Sequence, residues 1–122
     1  SGCIDALMYD KNGKLLLLDW KRVSKFTHCS SKKAITPCIA NLSDCNFVKY
    51  ALQLNAYEFL LKSTHNIHID GMAIVQLHPS RASYKVLRVP DYENEIKRML
   101  ECHVNDAASN STNRKRAREY RL

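Results

Sequence analysis

Two aspartates and a lysine in the first part of the chain are the residues best suited to chemistry. Asp5 follows the string Gly-Cys-Ile, while Asp19 and Lys21 end an apolar run two positions apart. Neighbouring carboxylates repel each other unless a cation lies between them. Carboxylate oxygens suit Mg²⁺ or Mn²⁺, which keep several water molecules and accept phosphate oxygens as further ligands. The residue types therefore predict a divalent-metal site with an ammonium group beside it.

Whether the two aspartates can share a metal depends on the turn between their strands. The sequence Asp-Lys-Asn-Gly at 10–13 is a strong hairpin signal, because Asn and Gly tolerate positive φ. A three-residue turn closed by the glycine places Asp5 opposite Asp19, with Lys21 on the same face. A two-residue Asn-Gly turn places Asp5 opposite Trp20 and separates the carboxylates. The sequence permits both turns, and we predict the three-residue one.

Apolar runs, turn residues and helix caps predict the elements that position these residues. Predicted are strands at about 3–9 and 14–20, a helix from Ser43 or Asp44 to about Ser63, strands at about 67–77 and 83–89, and a helix capped by Asp91. This order predicts an α/β fold, with helices flanking a mixed sheet. The polar, basic segment 22–43 is predicted to be a functional or disordered excursion, with a short strand at about 34–39.

The first predicted helix carries a polar stripe. Gln53 and Tyr57 lie four residues apart and therefore stack on one face, where an amide and a phenol can bind phosphate oxygens. The simpler alternative is a core tyrosine beside a surface glutamine, and Asn55 is predicted to face solvent. Basic residues of the excursion either line a nucleic-acid path or belong to a solvated loop. The predicted substrate-binding residues are Gln53, Tyr57, Tyr50, Arg22 and Lys25.

Strand alternation predicts a different environment for Trp20. It points away from the two aspartates and is most simply a core residue. The continuous apolar run 15–18 likewise suits a strand that is covered on both faces.

The formal net charge of +7 is unevenly distributed along the chain. A modestly basic body and a strongly basic end fit a polyanionic partner, most simply nucleic acid, although solubility alone would also explain them. Residues 105–122 are rich in Ser, Asn and Ala before becoming basic, which predicts a disordered tail. The basic run 114–118 resembles a nuclear import signal or a nonspecific nucleic-acid arm.

Five cysteines without a C-x-x-C pair predict unpaired thiols in a reducing, intracellular compartment. The nucleus, the cytoplasm and the mitochondrion all satisfy that condition. No apolar run approaches the roughly 20 residues that a membrane span needs, so we expect no membrane partner.

The strings GCID, DWK and QLNAY, in this order, resemble the PD-(D/E)xK nuclease superfamily. Within it they resemble the RecB-like exonuclease branch, including mitochondrial-genome-maintenance and viral or phage exonucleases. The resemblance covers roughly residues 1–100 and implies a restriction-endonuclease-like core at 1–104. That core would lack the family's N-terminal helix, which usually carries a further acidic residue or a histidine. We therefore expect another part of a larger polypeptide, or another subunit, to supply that element.

The resemblance also implies an activity and roles for individual residues. It implies a Mg²⁺- or Mn²⁺-dependent deoxyribonuclease, most simply an exonuclease acting on DNA ends or single strands in replication, repair or recombination. A structure-selective endonuclease and a catalytically silent nucleic-acid-binding module are the alternatives. Only one cysteine follows the QLNAY string, so no iron–sulfur cluster is expected. The implied roles are metal ligands for Asp5, Asp19 and the Trp20 carbonyl, catalysis by Asp5, Asp19 and Lys21, and substrate contact for Gln53 and Tyr57.

Overall fold

The structure, a computed structural model, describes residues 2–27 and 32–119. Its main elements follow the predicted order of strand, strand, helix, strand, strand, helix. They are β1 (Ala6–Tyr9), β2 (Leu15–Lys21), a 3₁₀ helix (Pro37–Ile39), α1 (Asn46–His65), β3 (Gly71–Gln76), β4 (Lys85–Arg88) and α2 (Glu93–Glu119). The chain is therefore an α/β protein, as the sequence predicts. Within the described residues, no helix has both the length and the apolarity needed to cross a bilayer.

The β1–β2 hairpin has the predicted three-residue turn. The Asp10 N–H donates to the Lys14 carbonyl at 2.8 Å, and Gly13 adopts a φ of 77°. The side chain of Asp10 reinforces the turn, because its Oδ1 accepts the N–H groups of Asn12 at 2.8 Å and Lys14 at 2.9 Å. An Asp at the start and a Gly in the left-handed region are the residues that such a turn requires.

The register of the hairpin keeps the two acidic residues on one face. Ala6 pairs with Leu18, and the other pairs follow in step toward the turn. Continued by one residue beyond the start of β1, this register places Asp5 opposite Asp19. Residues opposite each other share a face. The prediction is confirmed, and the alternative register with Asp5 opposite Trp20 is excluded.

The sheet is mixed, with the strand order β1-β2-β3-β4. The outer pairs are antiparallel, while β2 and β3 at the centre are parallel. Parallel neighbours require a long crossover, which the excursion and α1 provide here. The carboxyl ends of β2 and β3 therefore lie side by side, where Lys21 pairs with Gln76.

One face of the sheet is covered by α1. The covered face contributes Leu17 and Ile74, which are fully buried against Ala51 and Leu54 of α1. Gln76 is also buried on this face, and its Nε2 donates to the Val23 carbonyl at 2.9 Å. The helix α2 packs on α1 and on the 3₁₀ helix. The core therefore lies between the sheet and α1, with α2 outside it.

The opposite face, here called the open face, has no covering element among the described residues. Met8, Trp20 and Val86 on this face are 49%, 45% and 55% exposed. Two predictions are therefore wrong: β2 is not covered on both faces, and Trp20 is not a core residue. The physical reason is that α1 occupies the other face and α2 packs on α1 instead of on the sheet.

The excursion at 22–43 folds onto the core in its described parts. Phe26 and Leu42 are buried, and the 3₁₀ helix Pro37–Ile39 lies where the sequence predicted a short strand at about 34–39. Pro lacks a donor for a strand ladder and suits the first turn of a helix, which explains the difference.

The carboxyl-terminal segment also differs from its prediction. The sequence predicted a disordered tail from residue 105, whereas α2 continues to Glu119. Ala, Arg, Lys and Glu are good helix formers, and no Gly or Pro interrupts this segment. Residues 101–112 are exposed, so this part of the helix adds no residue to the buried core.

Candidate active site

Asp5 and Asp19 approach each other at the end of the hairpin farthest from its turn. Asp19 is only 4% exposed on the covered face, whereas Asp5 is exposed. The Asp5 Oδ2 accepts the Trp20 N–H at 3.0 Å. The Trp20 N–H has no backbone partner in β1, because β1 begins only at Ala6, and the Asp5 side chain takes the place of that partner. The side chain of Asp5 is thereby held beside the end of β2.

The pKa of Asp19 is raised above its ordinary value. Burial is the largest cause, and the Asp5 carboxyl contributes through a side-chain hydrogen bond and its charge. Lys21 lowers the pKa through its own hydrogen bond and charge, without cancelling the rise. The Lys21 ammonium thus offsets only part of the cost of burying the Asp19 carboxylate beside Asp5. A divalent cation would compensate the two carboxylates more fully.

Lys21 joins the acid pair to α1. Its Nζ lies 2.7 Å from Asp19 Oδ2 and donates to Gln53 Oε1 at 3.3 Å. The same ammonium lies 4.7 Å from the centre of the Tyr50 ring, within the range of a cation–π contact. The buried Asp19 carboxylate is therefore paired with one ammonium group, which also contacts the amide and the aromatic ring of α1.

The polar stripe of α1 extends this chain of contacts. Gln53 Nε2 donates to the Tyr57 hydroxyl at 3.1 Å, as expected for residues one helical turn apart. The Tyr57 hydroxyl lies against Gly2, where any added Cβ would overlap it. A side chain at this position of the GCID string would therefore displace the Tyr57 ring from its present place. The three strings meet in space through side chains from β2, α1 and the segment before β1.

The Trp20 carbonyl is directed to the β1 side of β2. Lys21 bonds to β3, since its carbonyl accepts the Leu77 N–H at 3.0 Å. Successive residues of a strand direct their backbone groups to opposite sides, so Trp20 directs its groups toward the β1 side. Its N–H confirms this direction by donating to Asp5. The predicted third ligand thus lies on the same side of β2 as the Asp5 carboxylate.

Of the other predicted substrate-binding residues, the structure places one at the site and two away from it. Tyr50 belongs to the site through its contact with Lys21. Arg22 is exposed and follows Trp20 by two positions, which places it on the open face, away from the acid pair. The side chain of Lys25 is also exposed, and its carbonyl accepts Asn46 Nδ2 at 3.4 Å. Arg22 and Lys25 are therefore not brought together with the acid pair.

Sequence reasoning missed the role of Asn55, which lies within the QLNAY string. It is 1% exposed, not solvent-facing as predicted. Its Nδ2 donates to the carbonyls of Ala51 at 2.8 Å and Pro90 at 3.0 Å, and its Oδ1 accepts the Tyr92 N–H at 2.7 Å. Asn55 therefore fixes the chain before α2 to α1. The sequence signal for this buried role was an amide side chain among apolar positions of the helix.

The donor set fits a magnesium-type ion better than a zinc-type ion. Across residues 2–27 and 32–119, no cluster of three or more His, Cys, Asp or Glu side chains is placed to hold a metal. Two carboxylates and a carbonyl are oxygen ligands, and Mg²⁺ characteristically adds water molecules and substrate phosphates to so few protein groups.

No protein-family model, curated protein or solved structure matches the chain. Functional interpretation therefore depends on the geometry of these residues and on the motif resemblance.

Proposed function

We propose that this chain carries the core of a metal-dependent DNA nuclease that hydrolyses phosphodiester bonds. The observation that carries the proposal is the convergence of the three strings into one chain of contacts. From Asp5 it passes through Asp19, Lys21 and Gln53 to Tyr57. A chance match of short motifs gives no reason for residues from three separate segments to meet in this order.

The fold is compatible with a restriction-endonuclease-like core. A mixed sheet whose hairpin carries the acids, and whose crossover helix carries the amide and the phenol, supplies the arrangement that the resemblance implies.

Asp5, Asp19 and the Trp20 carbonyl would hold one Mg²⁺ or Mn²⁺ ion. When bound, such an ion supplies Lewis-acid stabilisation of the phosphate and lowers the pKa of a water ligand. Asp19 would offer a carboxylate in a poorly solvated position, where its charge interacts strongly with a cation. The exposed Asp5 would close the site from the solvent side.

Lys21 would act on the attacking water and on the charge that develops at phosphorus. Its ammonium is already desolvated beside Asp19 and is directed by the Gln53 amide and the Tyr50 ring. Positioning of this kind requires no reorganisation at the moment of reaction. Gln53 and Tyr57 would hold the neighbouring phosphate oxygens with their amide and hydroxyl groups.

Digestion of DNA ends or single strands is the favoured form of this activity. A sequence-specific endonuclease needs a base-reading element, and none is evident in the sequence. The proposed partner is DNA, and the proposed compartment is reducing and intracellular, consistent with free thiols at the described cysteines.

Cleavage of end-labelled DNA tests this proposal. Wild-type protein would be incubated with single- and double-stranded substrates in magnesium, in manganese and in chelator. Asp19→Asn and Lys21→Ala would be compared with Lys14→Ala, which removes a lysine at the other end of β2. We expect metal-dependent cleavage by wild type and Lys14→Ala alone. Equal cleavage by all four proteins would exclude this site as the catalyst.

Two further outcomes separate the related functions. Resistance of closed circular single strands supports an exonuclease, whereas cutting of circles or of internal branches supports a structure-selective endonuclease. Metal-independent DNA binding without cleavage in any condition would support the silent binding module and reject the nuclease.

A further inference from the structure

A cleft lies on the open face of the sheet, next to the end of β2. It encloses about 550 Å³ and is bordered by the residues that follow β2 and β3 and by the loop leading to β4. Its lining residues are Trp20, Arg22, Leu77, His78, Pro79, Arg81, Ala82, Ser83 and Tyr84. The proposed catalytic residues contribute only Trp20 to this cleft, so it is a separate feature.

The lining of the cleft combines aromatic rings with positive charge. Trp20 and Tyr84 are 45% and 67% exposed, which is unusual for such large rings in a small protein. Arg22 and Arg81 carry the charge, and none of the lining residues is acidic. Exposed aromatic rings with neighbouring arginines are the means by which proteins bind single-stranded nucleic acid, through base stacking and phosphate contacts.

The loop that carries Arg81 is held in a defined conformation. The His78 carbonyl accepts the Arg81 N–H at 3.0 Å, which closes a turn around Pro79. The Ser80 N–H donates to His78 Nδ1 at 3.1 Å, and the Ser80 hydroxyl lies 2.7 Å from the same nitrogen. A preformed loop loses less entropy when a ligand binds.

The position of the cleft relates it to the acid pair. Asp19 and Lys21 point to the covered face, while Trp20 and Arg22 alternate with them and point to the open face. A DNA strand that crosses the carboxyl end of β2 can therefore present one phosphate to the acid pair and adjoining bases to the cleft. Because side chains alternate along β2, both sets of residues lie at one edge of the sheet.

We propose that this cleft binds an unpaired DNA strand, with bases stacked on Trp20 and Tyr84 and phosphates facing Arg22 and Arg81. The proposal rests on the proposed function for the path of the DNA strand across the site. It deepens that function by naming single-stranded DNA as the substrate class. Base stacking also explains why Trp20 and Tyr84 remain exposed. Duplex DNA would bind less well, since its bases are already stacked within the helix.

The fluorescence of Trp20 gives a direct test, because it is the only tryptophan in the chain. A short oligothymidylate would be titrated into the full chain in chelator, so that binding is measured without cleavage. We expect saturable quenching, weaker quenching by a blunt duplex of the same length, and salt-dependent affinity. Tyr84→Ala should weaken binding roughly 10- to 100-fold. Arg22→Ala and Arg81→Ala should each reduce the salt dependence by about one phosphate contact.

Matched controls lie at the other end of the same hairpin. Tyr9→Ala removes an exposed tyrosine from β1, and Lys14→Ala removes a positive charge beside the turn. Both should bind the oligonucleotide as wild type does. Equal quenching by a ribose oligomer still supports the stacking site, because the cleft would then contact bases and phosphates without reading the sugar.

Three results would overturn the proposal. These are unchanged Trp20 fluorescence on adding oligonucleotide, equal losses in the Tyr9→Ala and Tyr84→Ala variants, and concentration-dependent fluorescence of the protein alone, which would assign the cleft to self-association. Failure of the nuclease proposal gives a different result. Asp19→Asn would then cleave like wild type, whatever the Trp20 signal shows.

Discussion

The two faces of the sheet differ in their covering and in the charges they carry. The covered face holds a dense apolar core under α1 and, at one end, a buried carboxylate paired with an ammonium group. The open face keeps its apolar side chains partly exposed, and its cleft is lined by arginines and aromatic rings with no acidic residue among the lining residues. At the end of β2 the two faces alternate, because Asp19 and Lys21 face one side while Trp20 and Arg22 face the other.

Under the proposed function, the two faces divide two tasks, which are hydrolysis on the covered face and strand binding on the open face. Burial makes charge interactions stronger, which suits metal binding and hydrolysis at Asp19 and Lys21. Exposure leaves rings and guanidinium groups free to contact a long, flexible ligand, which suits Trp20 and Arg22. The comparison predicts that substitutions on one face will affect chemistry and core stability, whereas those on the other will affect binding.

The largest expected effect tests this separation directly. Asp19→Asn should lower the cleavage rate by about 1,000-fold or more, because the metal loses a charged ligand. The same variant should still show quenching of Trp20 by single-stranded DNA in chelator. Rates and titrations on one protein preparation provide the measurement. Loss of both signals in a folded variant would contradict a division between the two faces.

The second prediction compares two leucines that are neighbours on β2. Leu17 is fully buried on the covered face, so Leu17→Ala should reduce the free energy of unfolding by about 2–5 kcal/mol. Leu16 is only partly buried on the open face, and Leu16→Ala should cost about 1 kcal/mol. Denaturant unfolding measures both values. Equal losses would show that the open face is covered in solution.

The third prediction concerns the turn that places both acids on the covered face. Gly13→Ala should destabilise the protein by about 1 kcal/mol, because a Cβ is strained at a φ of 77°. Lys11→Ala, an exposed position in the same turn, should change the unfolding free energy little. Thermal or denaturant unfolding distinguishes them. Similar values for the two variants would argue against the three-residue turn.

The smallest expected effect is the pH dependence that Asp19 contributes to stability. Its pKa is raised on folding, chiefly by burial. Its protonated form is therefore favoured by the folded state, so this contribution is present below the ordinary carboxyl pKa and is lost as pH rises through the raised pKa. Asp19→Asn should be more stable than wild type above that pH and should lose this part of the pH profile.

Magnesium provides the control for that prediction. Binding to the folded state alone raises the unfolding temperature. Magnesium should therefore stabilise wild type near neutral pH and leave the unfolding temperature of Asp19→Asn unchanged. Melting curves of the two proteins with and without magnesium test both the pH dependence and the magnesium shift. They would cover about four pH units, from pH 4 to pH 8, which include the carboxyl transition. An identical magnesium shift in the two proteins would place the ion elsewhere.

Local sequence determined much of the fold and the candidate site. Asp10 and Gly13 define the turn, the turn defines the register, and the register places Asp5 opposite Asp19. Gln53 and Tyr57 share a helix face because they are four residues apart. Each of these relations depends on neighbours within one hairpin or one helix, so it can be derived from spacing and turn chemistry.

Only the tertiary structure decided which surfaces are covered and which polar groups are buried. Alternation along β2 shows that Asp19 and Trp20 face opposite ways, but it does not reveal which face α1 will cover. Trp20 was therefore predicted to be buried, and Asn55 was predicted to be exposed. Both depend on where helices distant in sequence pack against the sheet. Burial is a property of that packing, whereas register and helical phase belong to the local chain.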